Sequence, residues 1–363
     1  MAESAHRVTL IPGDGIGPEV TEATVIALEA TGVVFEWDRQ RAGAAAHERE
    51  GEALPGGVIA SIRERGVALK GPIATPTGVG YRSVNLALRR ELGLYVGIRP
   101  CRAIEGVHTA FPRTDIVVVR MLREDLYEGI EYAPGAEDTA ALRAVLEETR
   151  GARAAADAGF TIKPLSRSES ARVARRAFEY AVENGRSRVT AVHKATVMRH
   201  TDGLFLEGAR EVAEEFPGID YDERLVDNAC GSLVSRPEAF DVLLLPMLYG
   251  DIASDIGAGL IGGLGLAPGV NLGDDCAVFE PVHGSAPRLA GRNVANPLAM
   301  ILTGEMLLRR IGEGEAADRL AEAVAAVVRE GRHLSYDLTP SRGESSASAT
   351  SEVAEAVAAR LHS

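Results

Sequence analysis

The sequence predicts an α/β fold built on a large, mostly parallel sheet, and three observations carry that reading. Short apolar runs of strand type alternate with stretches of helical period along the chain. Two of the runs, 115–119 (DIVVV) and 240–245 (FDVLLL), are nearly continuous in apolar residues, as strands covered on both faces must be. The 363 residues are 46% hydrophobic and 25% charged, enough to bury a sizeable core. At roughly 150 residues per domain, that length suggests two domains or one large unit.

The elements follow in order. Residues 8–11 form a short apolar strand, and 18–31 continue as a helix with Ala, Val, Ile and Leu on one face. Residues 67–69 read as a strand and 83–92 as a helix. Residues 115–119, 188–192 (RVTAV) and 240–245 read as buried strands. Residues 127–166 break the alternation: YEGIEYAPGAED is followed by an Ala/Glu/Arg-rich piece and then by FTIKPLS. We expect an inserted arm of short strands and one polar helix there, a surface suited to a partner. The small, polar tail 341–350 (SRGESSASAT) is a loop before a last helix at 351–361.

Charge and cysteine content exclude several classes. Lys and Arg total 39 against 52 for Asp and Glu, a net charge of -13, whereas nucleic-acid binding calls for a basic excess. Cys101, Cys230 and Cys276 show no CxxC spacing, which argues against a disulfide framework or a thiolate zinc site. The first residues, MAESAHRV, lack the apolar core of a signal peptide. The uncharged stretch 256–273 is broken by glycines and Pro268, a poor membrane span. We therefore expect a cytoplasmic protein with neither nucleic acid nor membrane as a partner.

Five motifs carry chemistry. Gly13-Asp14-Gly15-Ile16-Gly17-Pro18 joins a strand to a helix, but Pro18 stands where a Rossmann fingerprint needs its third glycine. A tight turn with Pro18 at the first helical position fits instead. Ser83, Asn85 and Arg89 open the next helix, with Arg99 and Arg120 further on and Arg82, Arg90, Arg102 and Arg113 nearby. Hydroxyl, amide and guanidinium groups at a helix start suit a substrate with several carboxylates, which Arg holds through a bidentate fork.

Asp251 and Asp255 share a helical face, with Asp227 upstream. Like charges so placed make sense around a hard cation such as Mg2+ or Mn2+. The alternative makes Asp251 a helix N-cap and Asp255 a solvated acid, which the apolar surroundings disfavour. Lys194 ends a strand; apolar surroundings can lower a lysine pKa for proton transfer, though alone it reads as a strand-end lysine reaching solvent. Residues 280–287 (EPVHGSAP) form a loop of the kind that cradles phosphates, in which His283 alone would read as structural.

Together the motifs resemble the β-decarboxylating dehydrogenases, which comprise isocitrate, homoisocitrate and isopropylmalate dehydrogenases. The resemblance runs through IPGDGIGPEV, KGPIATPTG, RSVNLALRRELGLYVGIRP, EDLYEGIE, VHKATVM, DNAC, LYGDIASD and HGSAPRLAGRNVANP. It implies that family's fold rather than a Rossmann fold. A large cofactor domain (1–98 and 260–363) would join a smaller α/β domain (99–259) whose arm, about 127–166, clasps a second subunit.

The resemblance also implies roles. Arg89, Arg99 and Arg120 would hold the α- and β-carboxylates, and Ser83 and Asn85 the distal one, as in the isocitrate type. Isopropylmalate enzymes would carry apolar residues at those two positions. Asp227, Asp251 and Asp255 would bind Mg2+ or Mn2+, Lys194 with Asp227 would take the hydroxyl proton, and Tyr127 would return a proton to carbon. Lys194 and Asp227 would come from the partner subunit, which implies a homodimer with shared sites. Ile16, Thr75, Glu280, His283, Gly284, Ser285, Ala286, Arg288, Asn296 and Tyr336 would contact the dinucleotide.

The chain departs from the family in places. Met121-Leu122-Arg123 replaces the usual Glu-Asn-(Ser/Thr), Thr196 an Asn near the nicotinamide, and Met247 an Asn. Arg123 would suit a more highly charged distal group, a phosphonate for instance, or point to solvent. Homoisocitrate or such a phosphonate is thus the alternative to isocitrate. A non-catalytic regulatory subunit would have lost some of Tyr127, Lys194, Asp227, Asp251 and Asp255, all of which are present. Arg288 stands where NAD enzymes place Asp, and Tyr336 matches the NADP pattern, whereas Leu289, Ala295 and Pro340 do not. NADP is the expected cofactor, with NAD as the alternative.

Overall fold

The computed structural model describes residues 5–76, 80–81, 83–339 and 347–362. Arg82, Pro340 and residues 341–346 of the tail loop lie outside that set. Strands β1 (His6–Ile11), β2 (Phe35–Arg39), β3 (Val67–Lys70), β4 (Val96–Arg102) and β5 (Asp115–Met121) come first. β6 (Glu131–Tyr132) and β7 (Phe160–Thr161) pair antiparallel within the arm region. β8 (Arg188–His193), β9 (Asp220–Leu225), β10 (Val242–Leu245), β11 (Val270–Leu272) and β12 (Ala277–Phe279) follow. Ten strands form one sheet in the order β2-β1-β3-β12-β11-β4-β5-β10-β8-β9. Both flanks are parallel. The central run β12-β11-β4-β5 is antiparallel. A mostly parallel α/β sheet is therefore present, and residues 98 and 99 are consecutive within β4.

The helices are α1 (Gly17–Glu29), α2 (Ala44–Glu50), α3 (Gly56–Arg65), α4 (Val84–Glu91), α5 (Glu137–Arg150) in the arm and α6 (Arg167–Glu183). α7 (Thr201–Ala213), α8 (Val226–Leu233), α9 (Met247–Leu260), α10 (Leu298–Arg310), α11 (Gly314–Glu330) and α12 (Thr350–Leu361) complete the described set. No helix among the described residues is long and apolar enough to cross a membrane. α1 stops short of residue 31 because Thr31 Oγ1 donates to the Leu28 carbonyl (2.6 Å) and Gly32 turns left-handed (φ +86°). β10 starts at Val242 rather than 240, and the Asp241 carboxylate accepts from the main-chain N–H of Ser187 (2.7 Å) and Arg188 (3.2 Å). β4, which the sequence reading did not contain, carries Pro100. β11 pairs only with residues 96–98, so on that side the missing N–H interrupts no ladder.

The glycine-rich first motif is a tie between loops. Asp14 accepts from the N–H of Ala44 and of Ala74, both at 2.9 Å. Ile16 N–H donates to the Ser285 carbonyl at 2.9 Å. A Cβ on Gly15, which sits at φ +61°, would stand 2.0 Å from that carbonyl oxygen, so only glycine fits. Pro18 lies in the first turn of α1, as expected of a strand-to-helix turn rather than a dinucleotide fingerprint.

α9 packs on β4 and β5, and two glycines set how closely. A Cβ on Gly250 would lie 2.5 Å from Arg120 Cγ, and one on Gly257 would lie 2.6 Å from Cys101 Sγ. Gly257→Ala should therefore overpack the interface by about 1–3 kcal/mol, more than the roughly 1 kcal/mol of helix propensity it gains. Gly259, with open space around its Cβ position, should instead be stabilised by Ala by about 0.5–1 kcal/mol. Thermal denaturation should give Tm shifts of opposite sign. A Gly257→Ala protein as stable as the parent would show that α9 is not pinned to the sheet by that contact.

Candidate active site

A cleft of about 170 Å³ opens beside the carboxyl ends of β3, β5 and β12, the usual place for a ligand in an open α/β sheet. Lys70 ends β3, Arg120 lies near the end of β5 and Glu280 follows β12. Arg99 enters from β4, Asn85 and Arg89 from α4, Asp251 and Asp255 from α9, and His283 from the loop after β12. Six of the expected substrate and metal residues thus meet Glu280 in one place.

The cleft wall is a buried ion cluster. Glu280 accepts from Lys70 Nζ (2.7 Å) and Asn271 Nδ2 (2.6 Å), with Arg99 Nη2 at 3.5 Å and Arg89 Nη2 at 3.6 Å. Burial opposes ionisation of Glu280, but Lys70, Arg89 and Arg99 outweigh it and hold the carboxyl well below the usual range. Burial lowers the Arg99 pKa to about 10, against the pull of Glu280. Arg120 is lowered too, first by burial and then by the charge of Arg89. Lys70 and Asn271 were not anticipated. The available signal was a lysine closing an apolar strand, VALK, where a surface residue would be out of place.

Several polar atoms of the cleft lack protein partners although they are buried: Asn85 Oδ1, Arg89 Nε, Arg120 Nη2 and His283 Nε2. Buried polar groups are normally paired, so such a set marks where a ligand completes the bonding. Two unpaired guanidinium donors call for anionic oxygens. Ser83 does not line the cleft; its Oγ caps α4, accepting from Leu86 N–H at 3.4 Å.

Tyr127 stands beside the metal-ligand candidates. Its Oη donates to Asp251 Oδ2 at 2.5 Å, while Arg120 pairs with Asp251 Oδ1 and lies 5.4 Å from the Tyr127 ring centroid. Burial, then the hydrogen bond to Asp251, raises the Tyr127 pKa, so the phenol keeps its proton and can act as an acid. The turn leading to it holds Glu124 (φ +62°) and Asp125 (φ +60°) in the left-handed region, a strain of about 1–3 kcal/mol per residue. Side-chain bonds hold it there: Asp125 accepts from Leu126 N–H (2.8 Å) and Leu248 N–H (3.0 Å), and Glu124 from Ser166 N–H (2.7 Å).

α9 begins at Met247 after Pro246, so Asp251 is not its N-cap, and Asp255 lies one turn further along the same face. Burial, then the negative charge of Asp251, raises the Asp255 carboxyl. Two carboxylates that repel in this way fit a cation, which would offset both the burial and the repulsion. Asp227 does not join them: among the described residues of one chain, no three metal-ligating side chains converge. Asp227 instead pairs with Lys194 Nζ at 2.5 Å, on a surface outside the cleft lining. That bond, then its own main-chain N–H, lowers the Asp227 carboxyl.

The departures from the family pattern sort by burial. Met121 and Leu122 are buried, and Leu122 and Met247 share one apolar cluster with Val84 and Leu88, against which Tyr127 packs. Arg123 and Thr196 are exposed in the single chain.

Of the residues expected to hold a dinucleotide, Glu280, His283 and Gly284 line the cleft, and the others lie outside its lining. Ile16 is tied to Ser285, and Ala286 adopts a left-handed φ of +38°. Thr75, Gly284 and Arg288 are exposed. Burial lowers the His283 pKa, favouring a neutral ring whose buried Nε2 can bond a ligand. Asn296 donates to Asp337 at 3.0 Å, and Tyr336 lines a second cleft of about 250 Å³ with Arg292 and Asn293. Unpaired His283 Nε2 and the open Gly284 backbone fit a dinucleotide crossing from one cleft towards the other.

Comparison with known proteins agrees with this geometry. A family model described as isocitrate/isopropylmalate dehydrogenase matches residues 7–357. The chain is 44% identical over 331 residues to the mitochondrial NAD isocitrate dehydrogenase catalytic subunit 5 of Arabidopsis thaliana, covering 91% of this chain and 83% of that one. It is 43% identical over 327 residues to the chloroplastic 3-isopropylmalate dehydrogenase of Solanum tuberosum, covering 90% and 86%. The crystal structure of isocitrate dehydrogenase from Methylococcus capsulatus superposes with a TM-score of 0.90 at 45% identity, over 99% of this chain and 100% of that one. Full-length matches of this kind, with the cleft residues in place, show that the chain belongs to the isocitrate/isopropylmalate dehydrogenase family.

Proposed function

We propose that this chain catalyses the metal-dependent oxidative decarboxylation of isocitrate to 2-oxoglutarate, with NADP as oxidant. The observation that carries the substrate choice is the cationic cleft with Asn85 Oδ1, Arg89 Nε and Arg120 Nη2 buried and unpartnered. Overall identity is nearly equal to isocitrate and isopropylmalate enzymes, so the choice rests on the cleft. An isopropyl group beside Asn85 would leave its amide unpaired, whereas a third carboxyl group can accept from the amide N–H or, when protonated, donate to Oδ1. Arg123, exposed in the single chain, offers no support for a phosphonate in place of that carboxylate.

In this reading Arg89, Arg99 and Arg120 grip the α- and β-carboxylates, and Asn85, in the helix that Ser83 caps, holds the distal one. Lys194, paired with Asp227, accepts the hydroxyl proton as the hydride leaves. Tyr127, kept protonated by burial and by Asp251, delivers a proton to carbon after the β-carboxylate departs as CO₂. Asp251, Asp255 and Asp227 of the partner subunit would hold Mg2+ or Mn2+, which supplies Lewis-acid polarisation of the hydroxyl oxygen. Bound NADP supplies the hydride acceptor.

A homodimer follows from the same scheme, because Lys194 and Asp227 lie apart from the cleft in their own chain. Ile130, Val145 and Ile162 on the arm, with Val234 and Ile252 on or next to α8 and α9, are large apolar side chains exposed in the single chain, as a subunit contact would leave them. For the cofactor, Arg288 could fork onto a 2′-phosphate that the aspartate of NAD enzymes would repel.

A panel of isocitrate, homoisocitrate, a phosphonate analogue and isopropylmalate, assayed with both cofactors, tests the reading. Isocitrate should give the highest kcat/KM and isopropylmalate the lowest, by about 10–100-fold for one unpaired buried amide. Isopropylmalate turning over better than isocitrate would overturn the role of Asn85. With either cofactor, chelated protein should be inactive and recover with Mg2+ or Mn2+. Asp255→Asn should raise the metal concentration needed for half-maximal rate by at least about tenfold, and full turnover in chelator would end the metal assignment. NADP should give a higher kcat/KM than NAD, and Arg288→Asp should invert the order; a clear NAD preference in the parent protein would count Arg288 out.

A further inference from the structure

We propose that Lys163 is a positioning residue that sets both proton-transfer groups, Tyr127 and Lys194, from behind the site. Lys163 lies just beyond β7, and its side chain is only 11% exposed. The ammonium sits 2.6 Å from Asp202 Oδ1, 3.8 Å from Asp125 Oδ1 and 4.8 Å from the centroid of the Tyr249 ring. Asp125 and Asp202 have no solvent exposure. Two buried carboxylates so close to one ammonium would face each other uncompensated without it, and their repulsion would push them off their present bonds.

Each carboxylate also bonds main chain that carries a reacting group. Asp202 Oδ2 accepts from Lys194 N–H at 2.6 Å, which fixes the backbone from which the Lys194 side chain departs. Asp125 accepts from Leu126 N–H at 2.8 Å, which holds the left-handed turn before Tyr127. Its second oxygen accepts from Leu248 N–H at 3.0 Å, in the first turn of the helix bearing Asp251. One ammonium thus balances the anchors of the acid, of the base and of a metal-ligand helix. Lys163 itself is not among the residues lining the cleft. In a dimer with shared sites, the Tyr127 and the Lys194 that one Lys163 ties together serve different active sites.

The inference rests on the roles proposed for Tyr127 and Lys194, and the test separates the two. Steady-state kinetics on isocitrate and Tm are measured for the parent protein, Lys163→Met, Lys163→Arg and Asp202→Asn. Lys163→Met should lower kcat by about 10–100-fold, as losses of a supporting shell do, while KM stays within about threefold. KM is spared because Arg89, Arg99 and Arg120 keep their own contacts. Lys163→Arg, which returns a cation between the carboxylates, should recover most of kcat. Asp202→Asn, isosteric and uncharged, should reproduce the loss and covers the case in which Lys163→Met does not fold. A folded Lys163→Met or Asp202→Asn protein with kcat within about twofold of the parent would overturn the proposal. So would a KM that rises as far as kcat falls, or a loss that Lys163→Arg leaves uncorrected. A parent protein inactive on every acid of the panel would overturn the role assignments themselves.

Discussion

The charge of Glu280 organises the cleft. Buried alone, a carboxyl there would be neutral; Lys70, Arg89 and Arg99 reverse that and keep it ionised. The dependence is mutual, since Arg99 and Lys70 are almost fully buried and a buried cation with no anion beside it is costly. The bond from Asn271 to one Glu280 oxygen also turns the amide carbonyl towards Arg99 Nη2, at 2.6 Å. Position and protonation are thus settled together. What the cluster does not satisfy is as informative as what it does: the leftover donors on Arg89 and Arg120 are an open demand for carboxylate.

Close backbone approach provides the frame. Glycine at 250 and 257 lets α9 press its acidic face towards Arg120, so that Asp251 can meet both Arg120 and Tyr127. Asp14 gathers the loops at 44 and 74, while Gly15 allows the 285 loop against the first turn. None of these contacts is large in area. Their value lies in fixing the lip of the cleft without a side chain filling it.

The proposed chemistry divides across the molecule. The anion grip and the two acidic candidates for metal ligation line the cleft, with the Tyr127 phenol bonded to one of them, whereas Lys194 and Asp227 pair on a surface outside that lining in the same chain. A base bonded to its partner carboxylate on an accessible surface is well placed to complete a neighbouring subunit's site. Leu122 and Met247 share an apolar cluster against which Tyr127 packs, a place where two unpaired polar side chains would be costly and two hydrophobes pack.

The sequence by itself determined the α/β class, the apolar strands β5, β8 and β10, and the helices α1, α4 and α12 to within a few residues. Those signals are local, because a buried strand or an amphipathic helix writes its period into consecutive residues. It also supplied the cleft residues Asn85, Arg89, Arg99, Arg120, Asp251 and Asp255, whose side-chain chemistry and motif context point to anion and cation binding. β4 and β9 were not legible. Arg99, Pro100 and Arg102 interrupt the apolar pattern of β4, and DYDERL reads as surface because β9 is an edge strand. Only the tertiary structure decided that Lys70 and Asn271 complete the ion cluster and that Arg123 is exposed. The same holds for Asp227, which does not join Asp251 and Asp255 within one chain. Each of these depends on what stands opposite a side chain across tens to hundreds of residues, and a contact between distant segments leaves no period in the sequence of either.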